Sequence, residues 1–322
     1  MNRNSAAKGE YNGNCQVHGF KAHGKSILPP NHNFDKKELT TMKLAMYENQ
    51  VYLIKEEGEK ITGISLSNAS GGRFGGDMMS LLNNWANFSQ WSCSAAINDY
   101  PITIERTKLQ APINTSRQIF AIGLNYKSHI AEIKMEIGKP DIFTKFISSI
   151  ADPYANVKLS SHMVDWEVEL VAVIGKGGRN ICRENALEHV AGYMIGQDIS
   201  DRQMQFAGSA RQFSLGKSYE GYAPIGPWIT TMDEVQTPLD LALSSAVNGE
   251  IMQDSRTGLT LNNVDTLIEE LSSVTELYPG DLIFTGTPGG VGFGRDPYVF
   301  LQKGDMLESR VEGLGFIKQK FV

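Results

Sequence analysis

Glu167 and Glu169 stand two residues apart at the head of the run Val168-Glu169-Leu170-Val171-Ala172-Val173-Ile174. A run so apolar on both parities reads as a strand buried on both faces, and side chains two apart on a strand share a face. Two carboxylates placed this way repel unless they are protonated, bridged by a cation, or simply solvated at the strand end. A divalent metal would resolve the conflict, and Asp198 is a candidate for a third oxygen ligand. It lies where the apolar run Gly192-Tyr193-Met194-Ile195 passes into the acidic turn Gln197-Asp198-Ile199-Ser200-Asp201-Arg202; capping a following helix is its alternative duty.

His129 and Glu132 form a second candidate pair, at i and i+3 in Gly123-Leu124-Asn125-Tyr126-Lys127-Ser128-His129-Ile130-Ala131-Glu132. On a short helix they would project from one face. A carboxylate beside an imidazole orients it and raises its basicity, as a general base that takes a proton from water requires. The bland alternative is an exposed helical pair worth roughly a few tenths of a kcal/mol.

The elements that must position these groups follow from pattern. Residues 1–40, rich in Asn, Gly, His and Lys, show no hydrophobic period and read as a disordered arm. Cys15, His18, His23 and His32 within it lack the second thiol and flanking fold of a zinc site. Residues 41–112 read as a small α+β domain, with strands at Val51–Lys55 and Ile61–Leu66 and a helix over Met78–Phe88 capped by Asp77. The Gly71–Gly76 run has the spacing of no phosphate loop and reads as a turn. From 113 to 322 the pattern is β-rich, with strands at Ile119–Ile122, Val168–Ile174, Gly192–Ile195, Trp228–Thr230, Leu282–Phe284 and Phe316–Phe321, and helices near Arg183–His189 and Val264–Ser273.

Composition narrows the partners. With 41% hydrophobic and 20% charged residues over 322 positions, the chain resembles an ordinary globular protein. Its formal charge of -6, with scattered lysines and arginines, offers nucleic acid no footprint. No apolar run approaches a membrane span, and no secretory stretch opens the sequence. The widely spaced Cys15, Cys93 and Cys182 fit a reducing compartment. A cytoplasmic protein is expected, with a mitochondrial location left open.

The segments GLNYKSHIAE, PDIFTKF, DWEVELVAVIGK, GYMIGQDISDR, FSLGKSYEGYAPIGPW, DLIFTGTPGGVG and KGDMLESRVEGLG, in this order from about residue 119 to 315, resemble the fumarylacetoacetate hydrolase family. The resemblance implies an α+β, mainly β fold: a mixed β-sandwich roll preceded by the small α+β domain. It implies that Glu167, Glu169 and Asp198 bind Mg²⁺ or Mn²⁺, a hard-cation set. It further implies that His129 and Glu132 are base and orienter, that Lys217 holds a substrate oxygen or stabilises an enolate, and that Thr287 lies in a loop meeting the substrate's carboxylate end. Lys145 matches a family lysine whose duty is structural or substrate-facing.

The activity implied is metal-dependent hydrolysis of a carbon–carbon bond in a small 2,4-dioxo acid of the acylpyruvate or fumarylpyruvate type, by a homodimer. Decarboxylation of a 2-oxo acid such as oxaloacetate and isomerisation or hydration of an unsaturated 2-oxo acid are the alternatives. A non-catalytic, metal-stabilised binding protein would not need the His129–Glu132 pair or Lys217. Asp201, where the family usually has a small residue, and Arg211-Gln212-Phe213, where it often has a Gln-Trp pair, bear on the substrate more than on the metal site.

Overall fold

The computed structural model describes residues 42–133, 141–209, 212–235 and 239–322. The expected arm with Cys15, His18, His23 and His32 lies outside the described residues, as does Arg211.

The strand Val168–Ile174 is buried along its whole length, as its two-sided apolar pattern requires. It pairs antiparallel with Val190–Gln197 on one side and Leu282–Phe284 on the other. Beyond the latter come Ile119–Gly123, in parallel, and then Asp141–Thr144 at the sheet edge. In the other direction Val190–Gln197 pairs with Ala223–Thr231, and this strand pairs with Lys43–Tyr47. The N-terminal ladder Lys43–Tyr47, Gln50–Glu57 and Lys60–Ser65 therefore continues the same mixed sheet.

Each face of this sheet has its own cover. Val171 and Val173 face a core with Met194, Ile225 and the helical residues Met78, Leu81, Leu82 and Phe88. The opposite parity, Val168, Leu170, Ala172 and Ile174, packs on Leu243, Val311 and Ile317 of a second, five-stranded sheet and on the helix Val264–Val274. That helix buries Val264, Leu267, Ile268 and Leu271, the i, i+3, i+4, i+7 stripe of an amphipathic helix. Each such side chain removed from water contributes about 1.5–3 kcal/mol. Glu167 and Glu169 share parity with Val171 and Val173, so the two-residue alternation places a carboxylate pair at one end of an apolar face.

Two expected helices differ in detail. The Met78–Phe88 stretch is two helices, Met78–Asn83 and Trp85–Ser92, with Asn84 between them at φ -114° and ψ 26°. Asn competes with helical hydrogen bonds through its own side chain, and the break turns Trp85, Phe88 and Trp91 into one aromatic cluster with ring centroids 5.1–5.7 Å apart. Asp77 caps the first helix as expected, accepting from the Ser80 N–H at 2.8 Å. Arg183–His189 winds as a 3₁₀ segment rather than an α-helix. Among the described residues, no helix is long and apolar enough to cross a membrane.

Candidate active site

Glu167, Glu169 and Asp198 converge: one oxygen from each lies within 4.8 Å of the others, and all three residues are buried. Convergence follows from strand pairing. Glu169 sits opposite Gly196, and the Asp198 N–H donates to the Glu167 carbonyl at 2.9 Å, so both acid segments leave the sheet side by side. Burial removes the solvated-strand-end alternative for the glutamates. Helix capping belongs to Asp201, which accepts from the Met204 N–H at 3.0 Å and frees Asp198 from that duty.

Three cations answer these acids. Lys217 Nζ donates to Glu167 Oε2 and Asp198 Oδ2 at 2.7 Å each and to Ser200 Oγ at 2.8 Å. Lys145 Nζ donates to Asp198 Oδ1 at 2.6 Å and also to the Lys217 carbonyl. Arg202 reaches Glu167 Oε1 at 2.7 Å and grips Asp165 Oδ2 through Nε and Nη2 at 2.9 and 2.7 Å. Burial would raise the Glu167 pKa, but Lys217, then Arg202 and His129, outweigh it and hold the carboxyl at about 2. Glu169 goes the other way: burial, then Asp198 and Glu167, push it well above the usual carboxylate range. Lys217 would be lowered by burial, but Asp198 and Glu167 raise it. For Lys145 burial prevails over Asp198 and lowers the ammonium's pKa.

The chemistry of the donor set fits a hard divalent cation: three carboxylates with no nitrogen or sulfur ligand. Added positive charge would relieve Glu169, whose Oε2 accepts from the Gly286 N–H at 2.7 Å.

His129 and Glu132 lie on the short helix Lys127–Glu132, with His129 Nδ1 2.7 Å from Glu132 Oε1. The pair is largely shielded from water, unlike an exposed helical pair, and Glu132 Oε2 also accepts from the Gly290 N–H at 2.7 Å. That second bond fixes the carboxylate independently of its helix. Both residues line a cavity of about 830 Å³ shared with Glu167, Asp198 and Lys217.

The 285–293 loop binds carboxylates, but those of the chain itself. Its N–H groups at Gly286, Gly290 and Gly292 donate to Glu169, Glu132 and Asp165 respectively, each at 2.7 Å. Gly290 adopts φ +106°, and a β-carbon there would stand 2.2 Å from the Met252 carbonyl oxygen, so glycine is required. Thr287 lines the cavity while its hydroxyl donates to the Val168 carbonyl at 2.9 Å and accepts from Gln253 Nε2 at 2.7 Å. Lys145 is fully buried behind Asp198.

Sequence reasoning did not single out Asp165, Arg202 or Gln205. Asp165 shares parity with Glu167 and Glu169, which was its signal. Arg202 and Gln205 follow the acidic turn on the helix Arg202–Gln205, and Arg202 Nη1 donates to Gln205 Oε1 at 2.9 Å.

A mainly β sheet architecture carrying a buried acidic triad, two of whose members line one cavity with a His–Glu pair, is the arrangement of an enzyme. The chain belongs to the fumarylacetoacetate hydrolase family: residues 118–322 match fumarylacetoacetate (FAA) hydrolase C-terminal. Among similar proteins, a bovine (Bos taurus) mitochondrial oxaloacetate tautomerase, FAHD2A, is 43% identical over 215 residues, covering 66% of this chain and 68% of that protein. A crystal structure from Mycobacterium smegmatis, provisionally designated HpcE, superposes with a TM-score of 0.81 at 44% identity, over 87% of this chain and 99% of that one. Maleylpyruvate hydrolase from Sphingobium sp. SYK-6, solved with manganese (II) ion and pyruvate, gives a TM-score of 0.68 at 26% identity, over 87% and 99%.

Proposed function

We propose that the chain catalyses proton transfer at C3 of a small 2-oxo diacid of the oxaloacetate type, interconverting its keto and enol forms. The observation that carries this reading is the His129–Glu132 pair, held at 2.7 Å on the wall of the cavity that also exposes Glu167, Asp198 and Lys217. With Nδ1–H donated to Glu132, Nε2 keeps its lone pair for a substrate proton. The 43% identity to the bovine tautomerase supports the substrate class.

Glu167, Glu169 and Asp198 would hold Mg²⁺ or Mn²⁺. When bound, such an ion would supply Lewis-acid polarisation of the 2-oxo acid. In the keto-to-enol direction His129 Nε2 takes a proton from C3, the C–H electron pair becomes the C2–C3 double bond, and the carbonyl electrons move to oxygen. That oxygen takes up a proton from water to complete the enol, and His129 releases the proton it took from C3 to solvent, while Lys217, bound to Glu167, Asp198 and Ser200, holds the acids in place. Glu132 keeps the imidazole's orientation through its contact with Nδ1.

A second reading, hydrolysis of the C3–C4 bond of a 2,4-dioxo acid, is favoured by the same pair. The cavity of about 830 Å³ has space for water beside a small acid, and His129 could take the water's proton. Purified protein with Mg²⁺ or Mn²⁺ is given enol-oxaloacetate, and loss of the enol ultraviolet absorbance is followed with pyruvate formation; acetylpyruvate and fumarylpyruvate are assayed in parallel by product identification. Enol loss faster than in protein-free buffer, without pyruvate, supports tautomerisation. Pyruvate and a carboxylic acid from a dioxo acid support hydrolysis. Rates equal to buffer on every compound sink both.

A further inference from the structure

Three permanently basic side chains line the cavity among the described residues: Lys217, Arg202 and Arg295. The first two are neutralised, Lys217 by Glu167 and Asp198 and Arg202 by Asp165 and Glu167, at 2.7 Å. Arg295 is different. Its hydrogen bonds go to main-chain carbonyls alone, from Nη2 to Met252 at 3.0 Å and to Gly290 at 3.2 Å. Its Nε is buried with no hydrogen-bond partner, and its guanidinium carbon stands 5.8 Å over the Trp166 ring. Glu132 and Asp296 also line the cavity, yet neither pairs with it: Glu132 is engaged by His129 and the Gly290 N–H.

Among the described residues this half-buried guanidinium has no counter-charge, while the cavity's other two cations are paired, a setting that favours an arriving anion. A carbonyl dipole cannot replace a carboxylate, and the indole beneath excludes water from one side of the group, which strengthens attraction to an arriving anion. Arg295 also sits beside the proton-transfer pair: Gly294 packs so tightly on Glu132 that a β-carbon would lie 2.6 Å from its carboxyl carbon.

We propose that Arg295 recognises the second carboxylate of the substrate, the one remote from the 2-oxo group, and so sets a preference for diacids over monoacids. This rests on the reading of the cavity as a 2-oxo acid site. With Nη2 committed to two carbonyls and Nε buried, Nη1 is the nitrogen left to donate to a carboxylate, and Trp166 with the two carbonyl contacts holds the guanidinium in place beforehand.

The test is a ratio of binding constants, which needs no turnover. Affinities of the Mg²⁺-loaded protein are measured by calorimetry for matched pairs differing in the terminal carboxylate: oxaloacetate and 2-oxobutyrate, 2-oxoglutarate and 2-oxopentanoate, 2-oxoadipate and 2-oxohexanoate. The wild type is expected to prefer the diacid by about 10- to 100-fold at one or more lengths, the range of a charged hydrogen bond. Arg295→Gln should bring that ratio close to one while leaving monoacid affinity within a few-fold, and Arg295→Lys should retain part of it.

A role confined to holding the Gly290 loop would weaken both members of each pair alike and leave the ratio unchanged, and that result overturns the assignment. So does a wild-type ratio near one at every length, which needs no variant to fold. A diacid preference that Arg295→Gln abolishes, in a protein that turns over none of these acids, supports the subsite and refutes the catalytic reading instead.

Discussion

Replacing Lys217 by Met removes an ammonium that sits 2.7 Å from oxygens of both Glu167 and Asp198 in a buried site. At that distance, with an effective dielectric of about 20, each pair is worth about 6 kcal/mol of Coulomb energy. The cost of keeping the lysine out of water offsets much of this, so breaking a buried pair of this kind destabilises by about 3–5 kcal/mol. In the presence of chelator, Lys217→Met should therefore unfold about 4–7 °C below the wild type.

A divalent ion should restore part of the loss, because the variant's triad carries one more uncompensated negative charge. Metal at 100 times its dissociation constant stabilises by about 2.7 kcal/mol. Thermal unfolding by calorimetry, with chelator and then with rising Mg²⁺ or Mn²⁺, reads both effects. The Mg²⁺-induced rise should be larger for the variant than for the wild type. A variant within about 1 kcal/mol of wild type in chelator, or one that gains less from metal, would refute the account of Lys217 as the triad's internal counter-ion.

His129→Gln should lower turnover by about 10²- to 10⁴-fold while Mn²⁺ binding, measured by calorimetry, stays within a few-fold; full turnover would remove His129 as the base. Gly294→Ala puts a β-carbon 2.6 Å from the Glu132 carboxyl carbon and should cut kcat/KM at least about 10-fold by displacing the pair, while stopped-flow turnover equal to wild type would show that the contact relaxes freely. Burial raises the Asp281 carboxyl to about 6 against hydrogen bonds from Tyr278 and Gln118, so the folded state holds its proton more tightly than the unfolded chain, whose value is near 4. The associated stability is complete below about pH 4 and is lost as pH rises through 6, by about 1–2 kcal/mol after solvent screening. Denaturant unfolding of Asp281→Asn should lack that decline; an identical pH profile would refute it.

The acid triad was legible because strand alternation is local: Glu167 and Glu169 share a face whatever the rest of the chain does. Asp198 and Asp201 were harder, since both stand in one turn before one short helix. Only the cap geometry, Asp201 to the Met204 N–H, separates them. The break at Asn84 was hidden because Met78–Phe88 has no proline or glycine, and the aromatic packing of Trp85 and Trp91 decides it. Arg295 and the amides of the 285–293 loop carry no local signal at all. Glu132 lies 158 positions from Gly290 and Met252 lies 43 from Arg295, and tertiary contacts of that kind leave no periodicity to read.

The anchoring of Glu132, Asp165 and Glu169 by peptide N–H groups has an evolutionary corollary. Main-chain donors persist through most exchanges of side chain, so long as Gly290 retains its φ of +106°. Neighbouring wall residues such as Phe293 and Tyr298 can consequently be exchanged to reshape the cavity while these three carboxylates stay where they are. New substrate ranges become reachable by single steps, without first rebuilding the chemistry.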